Sequence, residues 1–228
     1  MTAGFRIFER RRKVSDEDVR RFAEIPVANI SDSMSRMTAA GTRLRPLHLG
    51  GKLAGAAITV KSRPGDNLMV HKALDLAEPG DIVVVDAGAD MSNAIIGELM
   101  VAHAIQRKLG GIVVNGAVRD LAAIQAGSFP VFAAGVTHRG PYKDGPGEIN
   151  VPIAIDGMVI APGDLVIGDS DGLLCVPFAD LATVYADAKK KNDAEAAQMA
   201  NIVAGHSDRR WVDAALQKLN CEQVARQG

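Results

Sequence analysis

Arg119 and Asp120 stand side by side at the end of an apolar run, GIVVNGAV, that suits a buried strand. A guanidinium offers a planar fork that matches a carboxylate better than an ammonium does. A carboxylate is a hard oxygen ligand suited to Mg²⁺ or Mn²⁺, cations that keep several waters and take few protein ligands. Ligands of α/β proteins gather outside the carboxyl ends of strands, where this pair falls. On these residues alone, the pair could equally serve a neighbouring loop or a subunit contact. Upstream, IIGELM sets Gly97 and Glu98 near a helix start, at a kink or a fresh N-terminus. Backbone N–H groups in a first helical turn lack intrahelical partners and favour an anion. A small carboxylate could therefore sit on the amides of Gly97, Glu98, Leu99 and Met100. Alone, that stretch reads more plainly, with Gly97 permitting close packing and Glu98 as an exposed terminal charge. Twenty residues lie between Glu98 and Arg119, one helix plus one strand. A strand–helix–strand unit returns such positions to one sheet edge, so acid, fork and metal ligand could converge on a cleft.

Elsewhere less is marked. His71 and His103 fall on helical patterns and read as surface or satisfied imidazoles. His138 and Arg139, in VTHRGPYKDG, lie in a loop that could reach the cleft. Nothing marks Lys61 or Lys72 as a desolvated Schiff-base lysine.

The elements that would position these residues follow from pattern. Ser15 and Asp18 form a capping box that opens a helix running through Phe22. IPVANISDSMSRM predicts a second short helix, closed near Gly41. Lys52–Ser62 reads as a strand and DNLMVHKALDLA as a helix. The strand DIVVVDAG, the helix AIIGELMVAHAIQRKL and the strand ending at Arg119–Asp120 come next. A short helix LAAIQA and the strand PVFAAG follow, and this alternation predicts an α/β core with parallel pairings. Past a Gly/Pro loop at GPYKDGPGEIN, the runs INVPIAI, MVIA, DLVIG and GLLCVP predict antiparallel structure. Two helices, over about 179–202 and 208–219, close the chain. Pro-Gly-Asp recurs at Pro64, Pro79 and Pro162 and reads as a type II entry turn, with a buried strand following at once in two cases.

The chain has 228 residues, 47% hydrophobic, enough for one domain over 1–228. A net charge of −1 gives no footprint for nucleic acid, and the basic ERRRKV beside the acidic SDEDV reads as a solvated face. No run is long and apolar enough for a membrane span, and the N-terminus lacks a signal-peptide core. Cys175 and Cys221 lack metal-ligand spacing, and Cys175 reads as a buried thiol. The expected setting is a reducing cytoplasm.

GELMVAHAIQRKLGGIVVNGAVRD, HRGPYKDGPGEINVPI and PGDLVIGDSDGLLCVP resemble the family of the regulator of ribonuclease activity A (RraA-like). That family also contains class II 4-hydroxy-4-methyl-2-oxoglutarate aldolases with oxaloacetate decarboxylase activity. The similarity runs from about Pro26 to Pro177, and its specific part is the acid, the twenty-residue gap and Arg-Asp. The resemblance implies a layered β-β-α, swivelling-domain-like core with flanking N- and C-terminal helices. It implies a homotrimer or homohexamer with clefts between subunits, the terminal helices making subunit contacts. It assigns Asp120 to a divalent metal, Mg²⁺ or Mn²⁺, and Arg119 with the amides of Gly97–Met100 to the carboxylate of a pyruvyl substrate. Glu98 would orient a water on that metal, with Asp32 and Glu195 as the acids a partner subunit contributes. Two departures stand out. Ala123 replaces a frequent acid three residues after the metal ligand, and Glu98 is one methylene longer than the usual aspartate.

The reaction so implied is cleavage of a 4-hydroxy-2-oxo acid to pyruvate and a keto acid. Rate would come from positioning and charge stabilisation, without a Schiff base. The alternative is a non-catalytic regulator docking on a ribonuclease or helicase, against which Glu98 speaks, since the regulators typically lack that acid. A methyltransferase is disfavoured, because DAGADMSNA offers only Gly88 where a nucleotide cofactor wants a glycine-rich turn.

Overall fold

A computed structural model describes residues 3–37 and 42–222. The elements run β1 (Phe5–Ile7), α1 (Asp16–Ala23), α2 (Val27–Ser33), β2 (Arg45–Pro46), β3 (Leu53–Ser62), α3 (Leu68–Leu76) and β4 (Ile82–Asp86). They continue with β5 (Ala94–Ile96), α4 (Glu98–Gln106), β6 (Gly111–Val118), α5 (Leu121–Gln125) and β7 (Val131–Val136). The last are β8 (Gly147–Ile149), β9 (Ile153–Ile155), β10 (Met158–Ile160), β11 (Leu165–Asp169), β12 (Gly172–Val176), α6 (Leu181–Val203) and α7 (Arg210–Lys218). Two compact units result, Met1–Lys189 and Lys190–Gly228; every strand lies in the first.

The main sheet has the order β1-β8-β3-β4-β6-β7-β2, with β3, β4, β6 and β7 parallel at its centre. β3 also pairs antiparallel with β11, which pairs antiparallel with β12, as β9 does with β10. Central strands buried on both faces need an apolar side chain at every step, and β4 is Ile-Val-Val-Val. Alternation sends Ile82 and Val84 to a core shared with β9–β12, α1, α2 and the start of α6. Val83 and Val85 go to a second core under α3 and α4. The result is a mixed α/β fold with a large mixed sheet and flanking helices, layered strand, strand, helix. Among the described residues no helix is long and apolar enough to cross a membrane.

The local readings are largely matched. Ser15 Oγ accepts from the Asp18 N–H at 3.1 Å at the start of α1. All three Pro-Gly-Asp turns have glycine at positive φ (72°, 84° and 87°) and close with an Asp N–H bond of 3.0–3.1 Å. Cys175 is a buried free thiol, its pKa pushed up by burial and by Asp164 beside it. Two expectations are corrected. The helix placed from Ala94 begins only at Glu98, because Ala94 and Ile96 pair with Ala117 and Val118 as β5. The second helix ends at Ser33, capped by Met34, well before Gly41, which lies outside the described residues. The short strands β1 and β2 carry no signal the pattern could register.

Candidate active site

β6 ends at Val118, and the chain leaves it through Arg119 into Asp120, which adopts left-handed φ 58°, ψ 40°. Aspartate tolerates that region better than most residues, at a cost of order 1 kcal/mol. The Asp120 carboxylate meets the start of α4, and its Oδ2 accepts the Glu98 N–H at 3.0 Å. Gly97 makes this approach possible. A Cβ there would overlap Asp120 Oδ2 and lie 3.0 and 3.1 Å from Arg119 Cγ and Nε. Its φ of −148° is ordinary extended backbone, so space rather than conformation demands glycine.

Arg119 donates its N–H to Ile96 O at 3.0 Å, and its Nε lies 3.7 Å from Asp120 Oδ2. Both side chains remain about two-fifths exposed, at 42% and 38%. The backbone at Gly140 passes beside the Arg119 guanidinium and is pinned by Asn93 Nδ2, 2.5 Å from Gly140 O, and by the Ala94 N–H to Arg139 O bond.

Gly97, Glu98, Leu99, Met100, Arg119 and Asp120 all line one cleft of about 360 Å³. The helix-end amides are only partly free for a ligand: Glu98 gives its N–H to Asp120, and Met100 gives its N–H to Gly97 O at 3.1 Å. A larger groove of about 870 Å³ runs beside Phe8, but its only acid is Glu9 and it holds none of these groups. Among the described residues no three His, Cys, Asp or Glu side chains gather as a metal cage. A single aspartyl oxygen opening to a cleft, with Glu98 also lining it, still fits a hard dication that keeps its waters.

Several residues fall elsewhere than the pattern suggested. His71 lines the cleft. The loop after β7 reaches it through Pro141 and Lys143, whereas His138 and Arg139 are not among its lining side chains. Asn67 lines it too, and neither Asn67 nor Lys143 was marked by the sequence. Their one available signal was the first Pro-Gly-Asp turn, which alone of the three is not followed by a strand. Asp32 is paired with Arg36 at 2.7 Å, and Glu195, in the second unit, with Lys191 at 2.8 Å. Ala123 is exposed on α5.

A family profile described as RraA-like, Aldolase/RraA, matches residues 27–175. The chain belongs to the RraA-like family. This RraA-like chain is 40% identical over 190 residues to a Halalkalibacterium halodurans protein named "Putative 4-hydroxy-4-methyl-2-oxoglutarate aldolase", covering 82% of this chain and 90% of that one. Aldolases of that name are carbon–carbon lyases. An uncharacterized protein from Pseudomonas syringae pv. tomato shares the fold, with a TM-score of 0.77 at 22% identity over 85% of this chain and 95% of that one. The RNA-processing inhibitor RraA from Thermus thermophilis matches with a TM-score of 0.62 at 28% identity, over 67% of the RraA-like chain and 92% of its own.

Proposed function

We propose that this chain is a divalent-metal-dependent aldolase. It would cleave 4-hydroxy-4-methyl-2-oxoglutarate, or a close 4-hydroxy-2-oxo acid, to pyruvate and a second keto acid, and decarboxylate oxaloacetate as a side reaction. The observation that carries the reading is the corner at Gly97, where an absent Cβ lets the Asp120 carboxylate reach a helix-end amide beside the Arg119 fork. The name of the 40% identical relative supports the reaction class.

Arg119 grips the carboxylate next to the keto group and fixes the substrate before bond breaking. Asp120, held by the Glu98 N–H, is the residue that would carry Mg²⁺ or Mn²⁺. The cation, when bound, supplies Lewis-acid polarisation of the keto oxygen. The bond between C3 and C4 breaks, its electron pair passes into the pyruvate enolate, and the C4 hydroxyl passes its proton to the water held at Glu98 and becomes a carbonyl. Glu98, exposed at the cleft, holds the water that returns a proton to C3. A homotrimer or homohexamer with the terminal helices as contacts belongs to the same reading, Asp32 or Glu195 of a neighbour completing the site.

Pyruvate release coupled to lactate dehydrogenase tests this, with oxaloacetate and 4-hydroxy-4-methyl-2-oxoglutarate, with and without Mg²⁺. Wild type should turn over both only with metal, and Asp120→Asn should lose at least about a hundredfold. Undiminished Asp120→Asn turnover would remove the metal assignment. No pyruvate from either substrate, with folded and metal-replete protein, would move the reading to a regulator that docks on another protein.

A further inference from the structure

The cleft lies on the side of the main sheet covered by α3 and α4. The opposite face carries a second polar feature, toward the carboxyl ends of β3 and β4. Register sets Arg6, Glu148, Lys61, Asp86 and Asn115 side by side, one from each of the neighbouring strands β1, β8, β3, β4 and β6. Val60, Val85 and Val114, one position earlier, belong to the core under α3 and α4. The row therefore points the other way, toward the layer that holds β9 and β10.

Charge alternates along this row, an arrangement that ordinarily pairs cross-strand neighbours. Arg6 and Glu148 do pair, Nε to Oε1 at 2.6 Å. Asp86 is fixed through Oδ1, which accepts the Gly88 N–H at 3.1 Å and Asn115 Nδ2 at 2.9 Å. Its Oδ2 accepts no hydrogen bond from the described residues. Asn115 is buried, and its own Oδ1 has no partner. Turning that amide would set oxygen against the Asp86 carboxylate, so the spare acceptor stays. Lys61 stands between Glu148 and Asp86 and makes an ion pair with neither. Lys61 and Asp86 both line a cavity of about 350 Å³, closed over by Pro152, Ile153, Ala154 and Val159.

These groups set what the cavity accepts. A bare anion drawn to Lys61 is repelled by Asp86, and a bare cation drawn to Asp86 is repelled by Lys61. A ligand with both charges close together satisfies both, and adjacent strands stand only ~4.8 Å apart. The surplus of acceptors at Asp86 and Asn115 suits an ammonium, which is all donor. We propose that Lys61 and Asp86 form a site for a small α-amino acid with an aliphatic side chain, separate from the cleft. Lys61 takes the carboxylate and Asp86 Oδ2 the ammonium, while the side chain packs on Ile153, Ala154 and Val159.

The test titrates L-valine into the full-length protein and follows it by saturation-transfer NMR. Its two charge-deleted analogues, 3-methylbutanoate and 2-methylpropylamine, are run beside it. L-valine should bind saturably, and each analogue at least about tenfold more weakly. Lys61→Met should weaken L-valine by at least about tenfold and abolish its advantage over 2-methylpropylamine. Asp86→Asn should abolish its advantage over 3-methylbutanoate. Lys61 is exposed, so its variant should keep the fold, which circular dichroism checks. No saturable binding of L-valine at millimolar concentration, analogues that bind equally well, or an affinity that Lys61→Met leaves unchanged overturns the site. Each of these outcomes leaves the aldolase reading intact, because no step of it passes through Lys61.

Discussion

The cleft has two sides, built in different ways. At the corner, Gly97, Arg119 and Asp120 meet through one strand–helix–strand unit, and the geometry is set by contact: a missing Cβ, a left-handed aspartate, one helix-end amide. The wall, formed by α3 and the loop after β7, brings His71 and Lys143 together across 72 positions through hydrogen bonds to the buried carboxylate of Asp66, which accepts the N–H groups of Leu68, Asp144 and Gly145. The corner should therefore fail when a methyl is added, and the wall when a charge is removed from its hub.

The sharpest break of that contrast is Gly97→Ala. The new Cβ would overlap Asp120 Oδ2, so either the carboxylate or the β5–α4 junction must shift. A displacement of this kind near reacting atoms costs about a hundredfold in rate. Pyruvate release should drop by that factor in a variant whose circular dichroism still reports the native fold. Wild-type rates would mean that Asp120 does not need its present position, and the corner would lose its standing as the reacting centre.

Asp66→Asn is the matching break of the wall. The amide has nearly the same shape, but it presents one acceptor oxygen where N–H donors now approach both. At least one buried backbone N–H loses its partner, for a destabilisation of about 2–4 kcal/mol. Urea unfolding should read that loss, and backbone amide exchange at Asp144 and Gly145 should quicken as the loop loosens. Full stability in this variant would show that Asp66 is not the hub.

These two regions also differ in how much of them could be read from sequence. Arg119–Asp120 announced itself because a fork and a hard ligand sat at the end of an apolar run, and the spacing to Glu98 matched one helix and one strand. The parallel core was legible because IVVV and GIVV are β-branched runs that alternate along the chain with helical patterns. Ala94–Ile96 fits a helical pattern as well as a strand, because short apolar runs suit either state and only pairing with β6 decides. Lys143 lay in a Gly/Pro loop with nothing local to distinguish it from any surface lysine. Its place in the cleft comes from Asp66, a turn residue whose side chain bonds to a segment far along the chain, and pattern reading has no term for such a tie.

The finest probe of the wall is the titration of His71. Its folded-state pKa lies below the ordinary 6.5, chiefly from burial and then from Lys143 and His103, with Asp75 opposing. As pH falls from 6.5 through the folded value, the unfolded chain takes up the proton first, so His71 subtracts stability there and contributes nothing at higher pH. Lys143→Met removes a like charge and leaves the burial in place. The His71 ring signal in NMR should then titrate at higher pH than in wild type while staying below 6.5, and the loss of stability in mild acid should shrink. An imidazole that titrates at the same pH in both proteins would mean that Lys143 does not face His71.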